Sequence, residues 1–230
     1  MQRSKLTFLG TSVLAVLAAA SLGTGPASAH NPAAPAGKGA ERTVTLAAQL
    51  DELNNSGASG TATAVVRNQR IQHIEVHATG LTPNAPHAQH IHYGAAALHE
   101  CPTLAQDKNG DRRINTLEGV PAYGPVVVSL NTTGDTTPAS LLAIGRFPVS
   151  DNGSYDYSRD NIKFTKVAGS TAKEIADAVR AGEGVVVIHG VDYNGNGMYD
   201  FDSAGASELD PSLPAEATDP AVCGVLKVVK

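Results

Sequence analysis

Gly80-Leu81-Thr82-Pro83 leads into His87-Ala88-Gln89-His90-Ile91-His92, and Tyr93-Gly94 leads out. The segment reads as extended, with three histidines at spacings of three and two. Side chains of a strand alternate between faces, so His90 and His92 fall on one side and Ile91 on the other. Two imidazoles on one face of a strand are preset for a metal that takes nitrogen ligands, chiefly copper or zinc. H-x-H alone does not separate a metal site from a polar surface, so the rest of the chain has to decide.

Upstream, residues 43–49, 61–66 and 71–79 read as strands. An Asn-, Ser- and Gly-rich turn at 54–60 separates the first two, and a hairpin turn at Asn68-Gln69 separates the second from the third. In the third strand Ile74, Val76 and Ala78 share one face and His73, Glu75 and His77 the other, which predicts a solvated polar face with a surface metal site as the alternative. Downstream, 125–130 and 144–149 read as strands, 151–154 as a turn and 155–167 as extended chain with Ile162 and Phe164 in the core. Thr171 to Ala181 reads as a short helix: Thr171 caps it, Glu174 sits at the third helical position, Ile175, Ala178 and Val179 form the apolar stripe, and Gly182 stops it. Residues 184–189 are apolar and β-branched, hence a strand buried on both faces, closed by His189. Residues 203–220 read as a Pro- and acid-rich loop and 221–229 as the closing strand.

The G-L-T-P turn before H-x-x-H-x-H resembles the metal-binding strand of copper/zinc superoxide dismutases. Val186-Val187-Ile188-His189 resembles that family's later copper-ligand strand, and Cys223-Gly224-Val225-Leu226 its C-terminal strand. The resemblance runs from about residue 43 to the C-terminus in scattered motifs. It implies a Greek-key β-sandwich of about eight strands with one short helix and long loops. It implies that His90, His92 and His189 ligate copper, and that His87 is a structural histidine bracing a loop through hydrogen bonds. It also implies a Cys101–Cys223 disulfide, since Cys101 lies nine residues past His92 where the partner is expected. In the chain-entropy picture such a bridge stabilises by up to roughly 4–5 kcal/mol. The same Gly-Leu turn before H-x-H also resembles CHRD domains, extracellular β modules without an established catalytic role.

The chain departs from the dismutases after Cys101. No histidine occurs between Cys101 and Ile188, so the bridging histidine and the remaining zinc ligands are missing and zinc is not expected. Pro220, Ala221 and Val222 stand where the family carries the arginine that greets superoxide. In place of the zinc loop comes D-x-N-x-D-x-x-I-x-x-x-E, the oxygen-ligand pattern of a calcium loop: Asp107, Asn109, Asp111, the Arg113 carbonyl, Asn115 and bidentate Glu118. Arg112 stands where a glycine normally turns the loop, at about 1–2 kcal/mol if the left-handed conformation is kept. The alternative is an ordinary Asp/Asn/Gly turn. A second acidic loop, Asp192-x-Asn194-x-Asn196-Gly197, has the glycine but ends on Ser203 instead of the twelfth-position glutamate. Calcium and a metal-free Asn-Gly turn both stay open there.

Residues 1–29 read as a secretory signal: Arg3 and Lys5, an apolar stretch from Leu6 to Leu22, and the small-x-small site Ala27-Ser28-Ala29. Residues 30–42 read as a flexible linker beginning with His30, and 43–230 as one β-sandwich domain. The mature chain is expected outside the cell, and no later apolar run is long enough to span a membrane. The net charge is −5, and −7 once Arg3 and Lys5 are gone, because residues 1–29 hold no acid. An acidic chain argues against nucleic acid and anionic membranes as partners. The oligomeric state is not written in the sequence. No serine stands in a nucleophile elbow and there is no phosphate loop. The readings that emerge are a secreted copper protein of dismutase fold whose substrate, if any, is superoxide, turned over slowly or differently without the bridging histidine and the arginine; a non-catalytic CHRD-like binding or structural module; and a calcium-stabilised extracellular module.

Overall fold

The computed structural model describes residues 43–167 and 169–229. The expected signal segment, its cleavage site and the linker with His30 lie outside the described residues. Alternation builds the first sheet. Strands β1 (Thr43–Glu52), β2 (Ser59–Arg67) and β3 (Arg70–Thr79) bury every second side chain and expose the others over most of their length. They pair as consecutive antiparallel hairpins, with a bulge between Val65 and Val66. The partner on β3's far side is β6 (Tyr155–Lys163).

The second sheet is buried on both faces. Strand β4 (Gln89–His92) lies between β5 (Val126–Ser129) and β7 (Val185–His189), and β7 pairs with β8 (Pro220–Val225). Only the last residues of β1, Asp51 and Glu52, reach β8, and β9 (Lys227–Val228) pairs with Leu46 and Ala47. The spatial order is β5-β4-β7-β8-β1-β2-β3-β6. Strands β3 and β6 are neighbours although β4 and β5 intervene in sequence in the other sheet, and β4 and β7 are neighbours although β6 lies in the first. These skipped connections make the Greek-key β-sandwich that the resemblance implied.

The core sits between the sheets. Leu46, Leu50, Ile71, Ile74 and Val76 from the first sheet meet Ile91, Val186, Ile188 and Val222 from the second, with Phe164 and Leu226 at its margins. The outer face of the second sheet holds a separate apolar cluster of Tyr123, Val185, Val187 and Cys223. The run Val185-Val186-Val187-Ile188 is therefore apolar throughout because alternate residues serve two different packed layers. The disulfide joins Cys101 to Cys223, Cα atoms 5.7 Å apart, and fastens the chain after β4 to β8 across 122 residues of sequence.

Helix α2 (Ala172–Ala181) has the expected capping box of Thr171 and Glu174, buries Ile175, Ala178 and Val179, and stops at Gly182 in the left-handed region. Two further helices stand where loops were expected. Helix α1 (Thr116–Tyr123) starts at an Asn115/Glu118 capping box, and α3 (Ala215–Thr218) is a single turn. The strand expected at 144–149 is not formed. Ile144–Arg146 is a 3₁₀ turn, preceded by another at Pro138–Ser140, and only Val149 makes a bridge, to Pro86. Gly145 and Pro148 account for this: one lacks a side chain to pack on a pleat, the other a ladder donor. Among the described residues no helix is long and apolar enough to cross a membrane.

Candidate metal centre

His90 and His92 leave β4 on the side opposite Ile91, toward the outer face of the second sheet. Their neighbours in register on β7 are Val187 and Val185, and His189, two residues beyond Val187, continues that face. The ladder between β7 and β8 slips at Ile188/His189, where β7 ends. The three imidazoles meet there. One ring nitrogen from each comes within 4.8 Å of the other two, and all three residues are buried. Ring centroids are 5.3 Å apart for His90 and His189, 5.7 Å for His90 and His92, and 6.2 Å for His92 and His189.

Each ring spends its other nitrogen on a main-chain carbonyl. His90 Nε2 donates to Leu141 at 3.1 Å, His92 Nδ1 to Gly124 at 2.8 Å and His189 Nδ1 to Thr218 at 2.6 Å. A neutral imidazole has one N–H, so these bonds fix the tautomers. His90 Nδ1, His92 Nε2 and His189 Nε2 are left as lone pairs, and all three are buried without a partner. Buried polar atoms normally find partners, and three orphans converging on one point make a donor set that could hold a metal ion. Burial, joined by mutual repulsion of the rings at His90 and His92, drives the protonated forms out: His92 is pulled down to about 3, His189 to about 4 and His90 well below its ordinary value. At neutral pH the trio is uncharged and ready to ligate.

The surroundings are apolar. Tyr123 lies against His92 at 4.4 Å between centroids and donates its hydroxyl to the Thr116 carbonyl, while Phe147 meets His90 edge-on at 5.4 Å. A small half-open cavity of about 30 Å³ borders the trio, and the half-buried Leu141, Leu142, Ile144 and Leu209 form a partial roof. The sequence shows a ligand set but gives no sign of this roof, because its residues come from two irregular segments.

His87 is fully buried outside the trio. Its Nε2 lies 3.0 Å from the Thr82 carbonyl, and its Nδ1 lies 3.0 Å from both the His189 carbonyl and the Tyr199 hydroxyl. It braces the turn before β4 against the end of β7 and contributes no atom to the trio. Burial lowers its pKa. Gly190, at φ +115°, lets Tyr199 reach it, because a side chain there would run into the Tyr199 hydroxyl.

The two acidic loops fold alike. In the first, Asp107 accepts from the N–H groups of Gly110 and Arg112, Asn109 from that of Asp111, and Asp111 from that of Arg113. In the second, Asp192 accepts from Gly195 and Gly197, Asn194 from Asn196, and Asn196 from Met198. The sixth position is left-handed in both, at Arg112 (φ +66°) and Gly197 (φ +85°). A glutamate then closes each loop on its second and ninth residues: Glu118 accepts from Lys108 and Asn115, and Glu216 from Tyr193 and Asp200. Glu216 on α3, fully buried, thus supplies from outside the loop what Ser203 does not, and Ser203 donates its hydroxyl to it. Only the position of Glu216 ahead of β8 was readable, not its partner. Among the described residues, these carboxylates do not form a converging group of the kind the trio does.

Arg113, beside the first loop, reaches Asp219, which is buried; Arg113 Nη1 donates at 2.6 Å and the Tyr193 hydroxyl at 2.9 Å. Burial pushes Asp219 up to about 7 despite these donors. On β3, His73 and His77 pair with Asp160 and Asp156 of β6 at 2.5 and 2.7 Å on an exposed face of the first sheet. His99 is half-buried and stacks on Tyr93.

No protein-family model and no curated protein matches the chain. Among solved structures, the chain is similar to superoxide dismutase 5 of Candida albicans in a copper(II) form, at 12% identity and a TM-score of 0.40, covering 82% of this chain and 94% of that one. A mutant form of the same enzyme matches with the same identity and score and 93% of its length covered.

Proposed function

We propose that this is a secreted copper-binding protein that holds one copper ion on His90, His92 and His189. The observation that carries the reading is the convergence of three buried, partnerless ring nitrogens whose tautomers are already set for ligation. Copper suits an all-imidazole donor set, and when bound it supplies one-electron redox chemistry. The chain's own contribution is to keep the three rings neutral and aimed. Leu141, Gly124 and Thr218 hold the N–H groups, Tyr123 and Phe147 pack the ring faces and edges, and His87 anchors the turn before β4. Export to an oxidising compartment fits the buried disulfide.

Superoxide is the substrate the resemblance implies. No Lys or Arg lines the cavity, so nothing draws an anion in, and turnover is expected to be slow. The same lack of Lys and Arg favours a second reading, a non-catalytic CHRD-like extracellular binding or structural module in which the histidines pack and hydrogen-bond without metal. Calcium in the acidic loops is a further part of the proposal, supported by the hydrogen-bond code the two loops share and by Glu216 standing in for the absent twelfth-position glutamate.

The test is the copper, zinc and calcium content of the protein recovered from its secretion medium, with His189→Ala beside it. One copper per chain, lost in the variant, supports the reading; no copper even after reconstitution overturns it and leaves the module. An unchanged melting temperature after calcium chelation sinks the calcium part.

A further inference from the structure

One end of the first sheet departs from the acidity of the rest of the chain. Arg67 pairs in register with Arg70, and Arg70 with Lys163, so β2, β3 and β6 share a row of three cations. Their neighbours Val66, Ile71 and Ile162 are buried in the core, and alternation turns the three charged side chains to the outer face. Across three adjacent strands the row is about 10 Å long. Like charges directly opposite one another in a sheet cost stability, and a chain with 22 acidic residues against 17 basic ones could have interleaved the signs. It does not: Asp160, the next acid in register on that face, is engaged by His73 at 2.5 Å. Among the described residues no carboxylate pairs with Arg70 or Lys163.

The row is also braced. Asn161, left-handed at φ +62°, accepts from Arg70 Nη1 through its main-chain carbonyl at 3.0 Å and its side-chain oxygen at 2.9 Å. Phe164 donates to the Gln69 carbonyl at 3.1 Å and Arg180 of α2 to that of Asn68, which ties down the hairpin tip. The amides of Asn68, Gln69, Gln72 and Asn161 complete an open groove of about 660 Å³ along the cations. Cations meet acidic groups and side-chain amides meet hydroxyls, the two kinds of group that an acidic polysaccharide repeats along its length. Single-stranded nucleic acid needs aromatic faces for its bases, and a membrane surface needs apolar side chains to bury; the groove lining has neither. Exposed charges more than about 8 Å away are largely screened at physiological ionic strength, so acids elsewhere do not hold an anionic chain off the row. We propose that the row Arg67–Arg70–Lys163 binds an acidic polysaccharide, the cations taking its sulfate or carboxylate groups and the neighbouring amides its hydroxyls. Binding there is independent of the imidazole trio, which belongs to the other sheet.

The experiment uses the full mature chain. Dextran sulfate and carboxymethyl dextran are the probes and neutral dextran the blank, with a chelator present so that no divalent ion bridges the polymer to the acidic loops. The expected result is salt-dependent binding of one or both acidic dextrans and none of the blank; which of the two binds identifies the acidic group. Arg70→Gln combined with Lys163→Gln is expected to weaken binding about tenfold or more at low ionic strength and to flatten its salt dependence. Lys163→Gln alone, on the sheet edge, is expected to weaken it about threefold and serves if the paired variant fails to fold. Lys173→Gln, which removes an exposed cation from α2, is expected to change it less than about twofold. Undiminished binding in the Arg70 and Lys163 variants, an equal loss in Lys173→Gln, or no binding of either acidic dextran overturns the inference. Tighter binding of polyuridylate or of phosphatidylserine vesicles through the same two residues also overturns it, and makes the row a nucleic-acid or membrane contact instead.

Discussion

His189 Nδ1 donates to the main-chain carbonyl of Thr218 across 2.6 Å, which joins the end of β7 to helix α3. The same helical turn carries Glu216, whose buried carboxylate accepts from Tyr193 and Asp200, while Val191 donates to the Glu216 carbonyl at 2.8 Å and Gly190 to that of Asp219 at 2.9 Å. The tautomer of one trio member is thus set by an element that the second acidic loop holds in place.

Glu216→Gln puts an amide N–H against a main-chain N–H at a fully buried position. It is expected to destabilise the fold by about 2–3 kcal/mol and to weaken copper binding roughly 10–100-fold, as losses of ligand-orienting partners do. Denaturant unfolding and a competitive copper chelator measure the two effects. Unaltered copper affinity in a folded variant would show that α3 does not orient His189.

Gly190→Ala introduces a side chain at φ +115° against the Tyr199 hydroxyl and 2.8 Å from His87 Nδ1. The residue follows His189 directly, so displacement reaches the trio. A loss of about 2 kcal/mol or more is expected from strain and overpacking together. The companion Tyr199→Phe, which removes only the hydroxyl, is expected to cost about 1 kcal/mol. Comparing their melting temperatures checks the ordering.

Acid should weaken the copper-free protein in a defined window. Unfolded imidazoles titrate near 6.5, whereas the folded trio titrates far lower, His189 at about 4 and His92 at about 3. Between these values the unfolded chain binds more protons, so stability is full above pH 6.5 and falls as pH drops below it. Asp219 works oppositely: its folded value of about 7 exceeds its unfolded one, so its contribution is present at low pH and fades as pH rises toward 7. Three histidines against one carboxyl leave a net loss of roughly 1–3 kcal/mol per pH unit on acidification. Urea midpoints at pH 7 and pH 5 decide it, and equal midpoints would refute it.

Reduction of Cys101–Cys223 removes a link across 122 residues at a buried Cys223. The paired Ser variant is expected to lose about 2–5 kcal/mol. Calorimetry with and without reductant reads it, and a shift confined to the wild type identifies the disulfide as the cause.

The sequence carries the first sheet plainly. Period-two alternation in β1 to β3 needs only one face in the core, and that pattern is local. The trio was legible for the same reason, since H-x-H on a strand and a histidine closing a β-branched run are statements about faces. Asn115 and Glu118 were read only as oxygen ligands, yet they form a capping box; the pattern for closing a metal loop and that for starting a helix share these residue types, so α1 was missed. Residues 144–149 are hydrophobic enough for a strand, but Gly145 and Pro148 deny it a ladder and the apolar side chains go to the roof instead. Glu216 and the carbonyls of Leu141, Gly124 and Thr218 had no local signature at all. Their role exists only once distant segments meet.

Leu141 both roofs the cavity and accepts the hydrogen bond that aims His90. A wall of the pocket and the orientation of one ring are therefore a single mechanical unit. Any displacement of the 138–146 segment that widens the approach to the three nitrogens also loosens the bond that aims one of them, so access and aim cannot be varied independently there.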